Sequence, residues 1–448
     1  MTARFDVLRY PWVRRLVVSR WPQYLVRVAL LALFALAVLA GGLGTPVGNR
    51  NFAIVGVWIA WWAVLILVAV PFLGRAWCSV CPLPLPGEWL QQGSLLGPRG
   101  RKGWTLGRRW PRRWRHIWLQ NAGFTGLALF SAVILTRPGV TAWVLLGLVL
   151  LAVGVSLVYE RRAFCRYLCP VGGFIGLYAQ AAPLELRVKD PAVCAAHTEK
   201  ACYTGNEQGF GCPWGTFPLG MVRNDVCGLC FECLRTCTYD NLALNIRPLG
   251  ADLTQRRGAK LDEAFKAFIL LGSALTYAAV FLGPWGTLKD AAYRLGTPAW
   301  WGYAALLVGL SWAVLPGLFA LGVWTGRPRL PLKRAFTVLA YALVPLGLAM
   351  WAAFSLAFVS ASVAYVLPVL SDPFGWGWDL LGTARWAWRP ILTQWLPPLQ
   401  AGLLVLGALW SVRTARGIGE TWGWPRAVYP VAGYVALMTG GMLWLLLG

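Results

Sequence analysis

The sequence predicts an all-α polytopic membrane protein of about nine transmembrane helices, on three observations. Hydrophobic residues make up 58% of the 448-residue chain and charged residues 13%. Several stretches of roughly 20 apolar residues are each long enough to cross a bilayer as a helix. Lysine and arginine concentrate on one side of the topology that these stretches define.

The expected spans lie near 24–42, 52–73, 117–135, 140–159, 264–283, 301–323, 335–358, 395–412 and 427–447. Many of the 28 tryptophans fall at their edges, including Trp61, Trp62, Trp300, Trp301 and Trp395. An indole suits the headgroup region because its ring is apolar and its N–H stays wet. With the N-terminus in the cytoplasm, the outer loops hold only Arg50, Arg137, Lys289, Arg294, Arg385 and Arg389 of the 41 Lys and Arg. This positive-inside bias accounts for the net charge of +24. No basic face with groove-reading or base-stacking elements accompanies it, so nucleic acid is excluded as a partner. The expected location is the inner (cytoplasmic) membrane of a prokaryote, with lipid around the spans and the C-terminus outside. The basic stretch around Arg14 and Arg15 reads as an interfacial segment ahead of an uncleaved anchor.

Three parts are expected along the chain. Residues 1–163 carry four spans, residues 164–262 are polar and cysteine-rich, and residues 263–448 carry five spans and no cysteine. On this topology all eleven cysteines lie at or beyond the cytoplasmic surface, where thiols stay reduced. Metal ligation or redox chemistry is therefore a better reading than disulfides.

The first part reads as a duplication. "RAWCSVCP" at 75–82 closes the second span and "RAFCRYLCP" at 162–170 closes the fourth. Two related hairpins would bring Cys78, Cys81, Cys165 and Cys169 together as a four-thiolate site. It suits a third iron–sulfur cluster, zinc or a reversible dithiol. Arg75, Arg162 and Arg166 are expected to favour thiolate there.

The middle segment contains Cys227-x2-Cys230-x2-Cys233-x3-Cys237, the run of a bacterial ferredoxin. Thr238 stands where proline usually follows. In two-cluster ferredoxins the fourth cysteine serves the other cluster. An earlier, stretched run supplies that partner: Cys194, His197, Cys202 and Cys212-Pro213. Cross-ligation assigns Cys212, Cys227, Cys230 and Cys233 to one [4Fe-4S] cluster. The other receives Cys194, Cys202 and Cys237 and lacks one ligand. His197, one of only two histidines, occupies the vacant position. Asp190, Glu199 or water are the alternatives. A neutral imidazole in place of a thiolate would make that cluster easier to reduce.

Two hairpins ending in Cys-Pro motifs, followed by a cytoplasmic two-cluster ferredoxin-like segment, resemble the polyferredoxin-like membrane proteins of the NapH, NosR and CcoG group. The resemblance covers roughly residues 50–245. In that group the membrane motif is usually Cys-x3-Cys-Pro. Cys165 and Cys169 match it, while Cys78 and Cys81 stand one residue closer. The stretched run with His197 also departs from the group's eight-cysteine pattern. The resemblance implies electron transfer between the quinone pool and a partner redox enzyme or its maturation machinery, in the manner of a quinol dehydrogenase-like subunit. No catalytic residue is assigned.

Evidence for quinone from the residues themselves is limited to Gln120, Asn121, Lys266 and Gln400 in or near spans, with His116 and Glu160 at the cytoplasmic edge. The absence of an intramembrane histidine pair excludes a b-type haem. Two other functions are compatible: an assembly or metal-handling factor for another enzyme, and a transporter or sensor whose last five spans do the work under redox control.

Overall fold

The structure is a computed structural model and describes residues 4–98, 103–255 and 257–448. It is mostly helical, as an apolar solvent requires: in lipid each backbone N–H and C=O must bond within its own segment. Among the described residues seven helices are long and apolar enough to cross a membrane. They are Trp21–Leu43, Phe52–Leu73, Pro138–Val158, Leu261–Phe281, Pro298–Thr325, Leu332–Ser371 and Pro425–Leu447. These correspond to seven of the nine expected spans, so the chain is a multi-pass α-helical membrane protein.

The other two expected spans are also helical but differ in kind. The stretch at 117–135 divides at Phe130 into Trp118–Leu129 and Ser131–Ile134. The stretch at 395–412 belongs to the longer helix Leu396–Thr421, which opens on two prolines and carries Arg413, Arg416 and Glu420 toward its end.

A small antiparallel sheet was not expected. Its strands β1 (Phe5–Asp6), β2 (Leu184–Val188) and β3 (Leu242–Ile246) run in the order β1-β3-β2. The β2–β3 register pairs Leu184 with Ile246 and Val188 with Leu242. Period-two alternation sends Leu186, Leu242 and Leu244 into a core with Leu8, Leu229, Leu234, Cys202 and Cys233. Glu185, fully buried, pairs with Arg247 at 2.9 Å, and Arg247 also pairs with Asp252. The chain enters the cysteine-rich segment from β2 and leaves it through β3, so the sheet closes the base of that segment.

By contact the chain forms two compact units. One collects Met1–Ala35, Ala69–Gln120 and Leu145–Asp252, and so holds every cysteine. The other collects Leu36–Val68, Asn121–Val144 and Leu253–Gly448. Its centre is Leu261–Phe281, which packs against Val344–Ser362, itself lined by Leu396–Thr421. Phe268, Phe319, Tyr341 and Trp351 fill this core.

Candidate functional site

The two Cys-Pro repeats fold alike despite their unequal length. The first turns through the α-helix Trp77–Val80 and the second through the π-helix Phe164–Leu168. A π-turn absorbs one inserted residue, and Cys169 N–H accordingly reaches back five residues to Phe164 O at 2.8 Å. The extra residue of Cys165-x3-Cys169 is taken up there. Each second cysteine, Cys81 or Cys169, caps its turn directly before proline.

The arginines that open the repeats cross over. Arg75 Nη2 donates to Cys165 O at 3.2 Å, and Arg162 Nη1 donates to Cys78 O. Gln120 Nε2 adds a second donor to Cys165 O at 3.1 Å. Arg162 is held by a buried bidentate pair with Glu88, at 2.6 and 2.7 Å. Burial alone would raise the Glu88 carboxyl, but the adjacent guanidinium outweighs it and holds the group below its ordinary value.

The four thiols lie close enough to influence one another. Burial pushes the Cys165 thiol well up, Arg162 opposes this, and Cys169, Cys81 and Cys78 add to it. Burial, then Cys78 and Cys169, also drive Cys81 up. Cys169 is pushed up to about 11, mostly by burial and despite the Gly172 N–H at 3.2 Å from its sulfur. Arg162 at Cys165 and Cys81, and Arg75 at Cys169, do act toward thiolate, but burial outweighs them. Their N–H groups bind main-chain carbonyls, Arg166 those of Trp214 and Gly215, and burial dominates the sulfurs.

Cys212, Cys227, Cys230 and Cys233 line one small, largely apolar cavity of about 20 Å³. Leu186, Trp214, Thr216, Pro218, Met221 and Phe231 complete part of its wall. Leu229 and Phe231, on either side of Cys230, take left-handed φ angles of +49° and +61°. Such backbone costs of order 1–3 kcal/mol per non-glycine residue. Burial, then Cys212 and the Glu232 carboxylate, push Cys230 up to about 12, and burial pushes Cys227 up to about 11.

Cys194, Cys202 and Cys237 form a second neighbourhood. Burial, then Cys237 and Cys194, push Cys202 up to about 11. Asn241 Nδ2 donates to Cys194 Sγ at 3.3 Å. His197 lies half-buried, stacked on Tyr239 with ring centroids 4.3 Å apart. Its Nδ1 lies 2.7 Å from Val193 O. A carbonyl only accepts, so Nδ1 carries a proton, which leaves Nε2 as the nitrogen through which the neutral ring could ligate. Asp190, one alternative ligand, instead caps the helix Pro191–Ala196 through Ala192 N–H.

Among the described residues no three His, Cys, Asp or Glu side chains gather tightly enough to hold a metal ion. Tetrahedral zinc asks its sulfurs to lie within about 4 Å of one another. A cubane presents four separate irons and takes ligands spread more widely.

The polar residues near the spans mostly serve the backbone. Asn121 Nδ2 donates to Asp262 O and Gln400 Nε2 to Ala353 O. Lys266 is fully buried, its Nζ 5.0 Å from the Phe124 ring. Glu160 faces Arg109 at 3.8 Å on the exposed side.

Residues 54–113 and 141–189 match the family described as a 4Fe-4S binding domain. The first stretch carries Cys78 and Cys81, the second Cys165 and Cys169. The two matched stretches thus carry the two Cys-Pro repeats of a multi-pass membrane protein. Among curated proteins it is similar to the methylamine utilization ferredoxin-type protein MauN of Paracoccus denitrificans (strain Pd 1222), 30% identical over 135 residues. That similarity covers 27% of this chain and 44% of the relative, so the chain spans less than half the length of the protein it matches. No solved structure matches the chain.

Two residues of the cavity wall escaped the sequence reading. Trp214 and Thr216 each bury a polar atom without a hydrogen-bond partner. The available signal was their position directly after Cys212-Pro213.

Proposed function

We propose that the protein relays electrons at a membrane, between the quinone pool or a membrane partner and a partner redox enzyme. Cys212, Cys227, Cys230 and Cys233 hold one [4Fe-4S] cluster. Cys194, His197, Cys202 and Cys237 hold a second. Cys78, Cys81, Cys165 and Cys169 hold a third. The observation that carries this reading is the small cavity lined by all four cysteines of the first set. When bound, such clusters supply reversible one-electron chemistry.

The third site is supported by two facts. Each stretch of the 4Fe-4S family match carries one of its cysteine pairs, and the Arg75 and Arg162 crossover ties the two turns together. A reactive dithiol needs exposure and a depressed pKa, whereas Cys78, Cys165 and Cys169 are buried. Cluster ligation suits them better than the thiol chemistry of an assembly factor. The ferredoxin-type designation of the MauN relative also supports electron carriage. The arginine-rich side sets the proposed orientation, with the N-terminus and the cysteine-rich segment in the cytoplasm of a prokaryote and the C-terminus outside.

Reduction by a quinol in lipid nanodiscs, followed by EPR under anaerobic conditions, tests the relay. Cluster signals that grow with added quinol are expected. Clusters that respond only to a soluble low-potential donor would remove the quinone pool from the scheme.

A further inference from the structure

The segment after Cys212 is strapped onto the second Cys-Pro turn. Arg161 Nη1 donates to Cys212 O at 2.8 Å, and Arg162 N–H to Pro213 O at 2.8 Å. Arg166 binds the carbonyls of Trp214 and Gly215. These contacts fix the Trp214 indole, which is 2% exposed. The Arg75 guanidinium lies 4.4 Å from its ring centroid and that of Arg162 5.7 Å. Two cations on one ring hold it by its negative faces, and they are the same two that bind the cysteine carbonyls of the membrane-edge site.

Trp214 also lines the cavity of Cys212, Cys227, Cys230 and Cys233. Its nitrogen lies over Gly228, where an added Cβ would sit 2.3 Å from Nε1. Glycine between Cys227 and Leu229 is what lets the indole come this close to the wrapping loop. Yet Nε1 is buried with no hydrogen-bond partner, and so is Thr216 Oγ1 on the same wall. Two orphaned donors in one small enclosure carry a desolvation cost that a native fold seldom leaves unanswered. The Thr216 main-chain N–H, by contrast, already donates to Cys212 Sγ at 3.4 Å. The wall is therefore donor-rich and faces four sulfurs.

We propose that the Trp214 indole N–H and the Thr216 hydroxyl are hydrogen-bond donors to the sulfurs of the cluster held by Cys212, Cys227, Cys230 and Cys233. The inference rests on the proposed cluster at those residues. Both are positioning groups: they ligate no iron and exchange no electron. A reduced cluster carries one more negative charge than an oxidised one. Donors to its sulfurs stabilise the reduced form more and raise the potential. Trp214 thereby sets this cluster's potential while packed against the arginines of the membrane-edge site.

Protein with 15N-indole tryptophan, reduced and examined by pulsed EPR, gives the first readout without altering the chain. A 15N coupling is expected on the cluster signal that Cys230→Ala removes, and Trp214→Phe should abolish it. Thr216→Val keeps the side-chain shape and removes only the hydroxyl. Its midpoint potential, and that of Trp214→Phe, should shift negative at unchanged iron and sulfide content. Each tenfold loss in the reduction equilibrium corresponds to 59 mV for one electron. A signal without 15N coupling, or unshifted potentials in both loaded variants, overturns the proposal. Should Trp214→Phe fail to load, the labelled parent and Thr216→Val decide the matter. If Cys230→Ala leaves the iron content unchanged, the cluster assignment itself fails, and that result is distinct from a cluster that is present but lacks the coupling.

Discussion

Arg75 and Arg162 open the two Cys-Pro repeats, and each guanidinium binds the carbonyl of the other repeat's first cysteine. This reciprocity is the mark of a pseudo-two-fold pair, in which one half contacts its partner as the partner contacts it. It ties Cys78 and Cys165 into one arrangement. Arg162 in turn depends on Glu88, which it meets through two charge-assisted hydrogen bonds. Glu88→Ala would leave a buried guanidinium uncompensated, at a cost of about 3–5 kcal/mol. A clear drop in the thermal midpoint of the purified protein is expected, together with loss of iron from the membrane-edge site. Stability equal to the parent would contradict the role given to this pair.

The same pair sets a pH dependence. Glu88 is held below its ordinary carboxyl value of 4.5 in the fold. A depressed carboxyl contributes stability that is present above its unfolded pKa and lost as pH falls through the folded one. Thermal midpoints should therefore decline on acidification below about pH 4.5, and the decline should be shallower in Glu88→Gln, which no longer titrates there. Equal slopes for parent and variant would count against it.

Gly228 lies where the Trp214 ring meets the wrapping loop. An added Cβ would lie 2.3 Å from Trp214 Nε1 and 2.7 Å from Cε2, both atoms of a ring pinned by two arginines. Gly228→Ala should displace the loop and remove about four irons per chain, one [4Fe-4S] cluster, leaving the others loaded. Iron analysis of the variant checks this, and full loading would show that the ring yields freely.

His197 divides two cases. Ligation through Nε2 predicts that His197→Cys keeps its iron and moves one cluster's midpoint negative, because a thiolate adds charge that imidazole does not. His197→Ala should alter the EPR signal of the same cluster. If both substitutions leave every signal and midpoint unchanged, the ligand lies elsewhere and the ring only stacks on Tyr239.

The membrane-edge cysteines make a separate claim. Cys165→Ser and Cys81→Ser should each lower the iron content by about four per chain without affecting the signal that depends on Cys230. An unchanged iron content in both would return the four thiols to zinc or to thiol chemistry.

How much was legible in the sequence varies with distance along the chain. The run Cys227, Cys230, Cys233 and Cys237 stands out because its spacing is local, and the fold brings Cys227, Cys230 and Cys233 to one cavity while Cys237 lies near Cys202. The duplicated Arg-Ala-aromatic-Cys motif was equally plain. The spans follow from apolar length, except where Phe130 interrupts a helix and where the charges of Leu396–Thr421 dilute it. What stayed hidden was relational. The strands β2 and β3 alternate over five residues each, too briefly to stand out beside long apolar helices, and they pair only after a stretch of more than fifty residues. The one-residue mismatch between the repeats was visible, but its absorption by a π-turn was not. Arginines beside cysteines suggested thiolate stabilisation; what stayed hidden was that burial outweighs it and that their donors reach the carbonyls of the opposite repeat. Trp214 was one tryptophan among 28 until the fold set it between two arginines and a cysteine-lined cavity.

The central claim is that this chain carries several [4Fe-4S] clusters. The most direct measurement is iron and acid-labile sulfide per chain in protein purified without oxygen, with EPR spectra recorded through stepwise reduction. Three occupied sites predict about twelve irons and twelve sulfides, with signals that appear at separate potentials. Little iron with stoichiometric zinc and no reducible signal would contradict the account at its root.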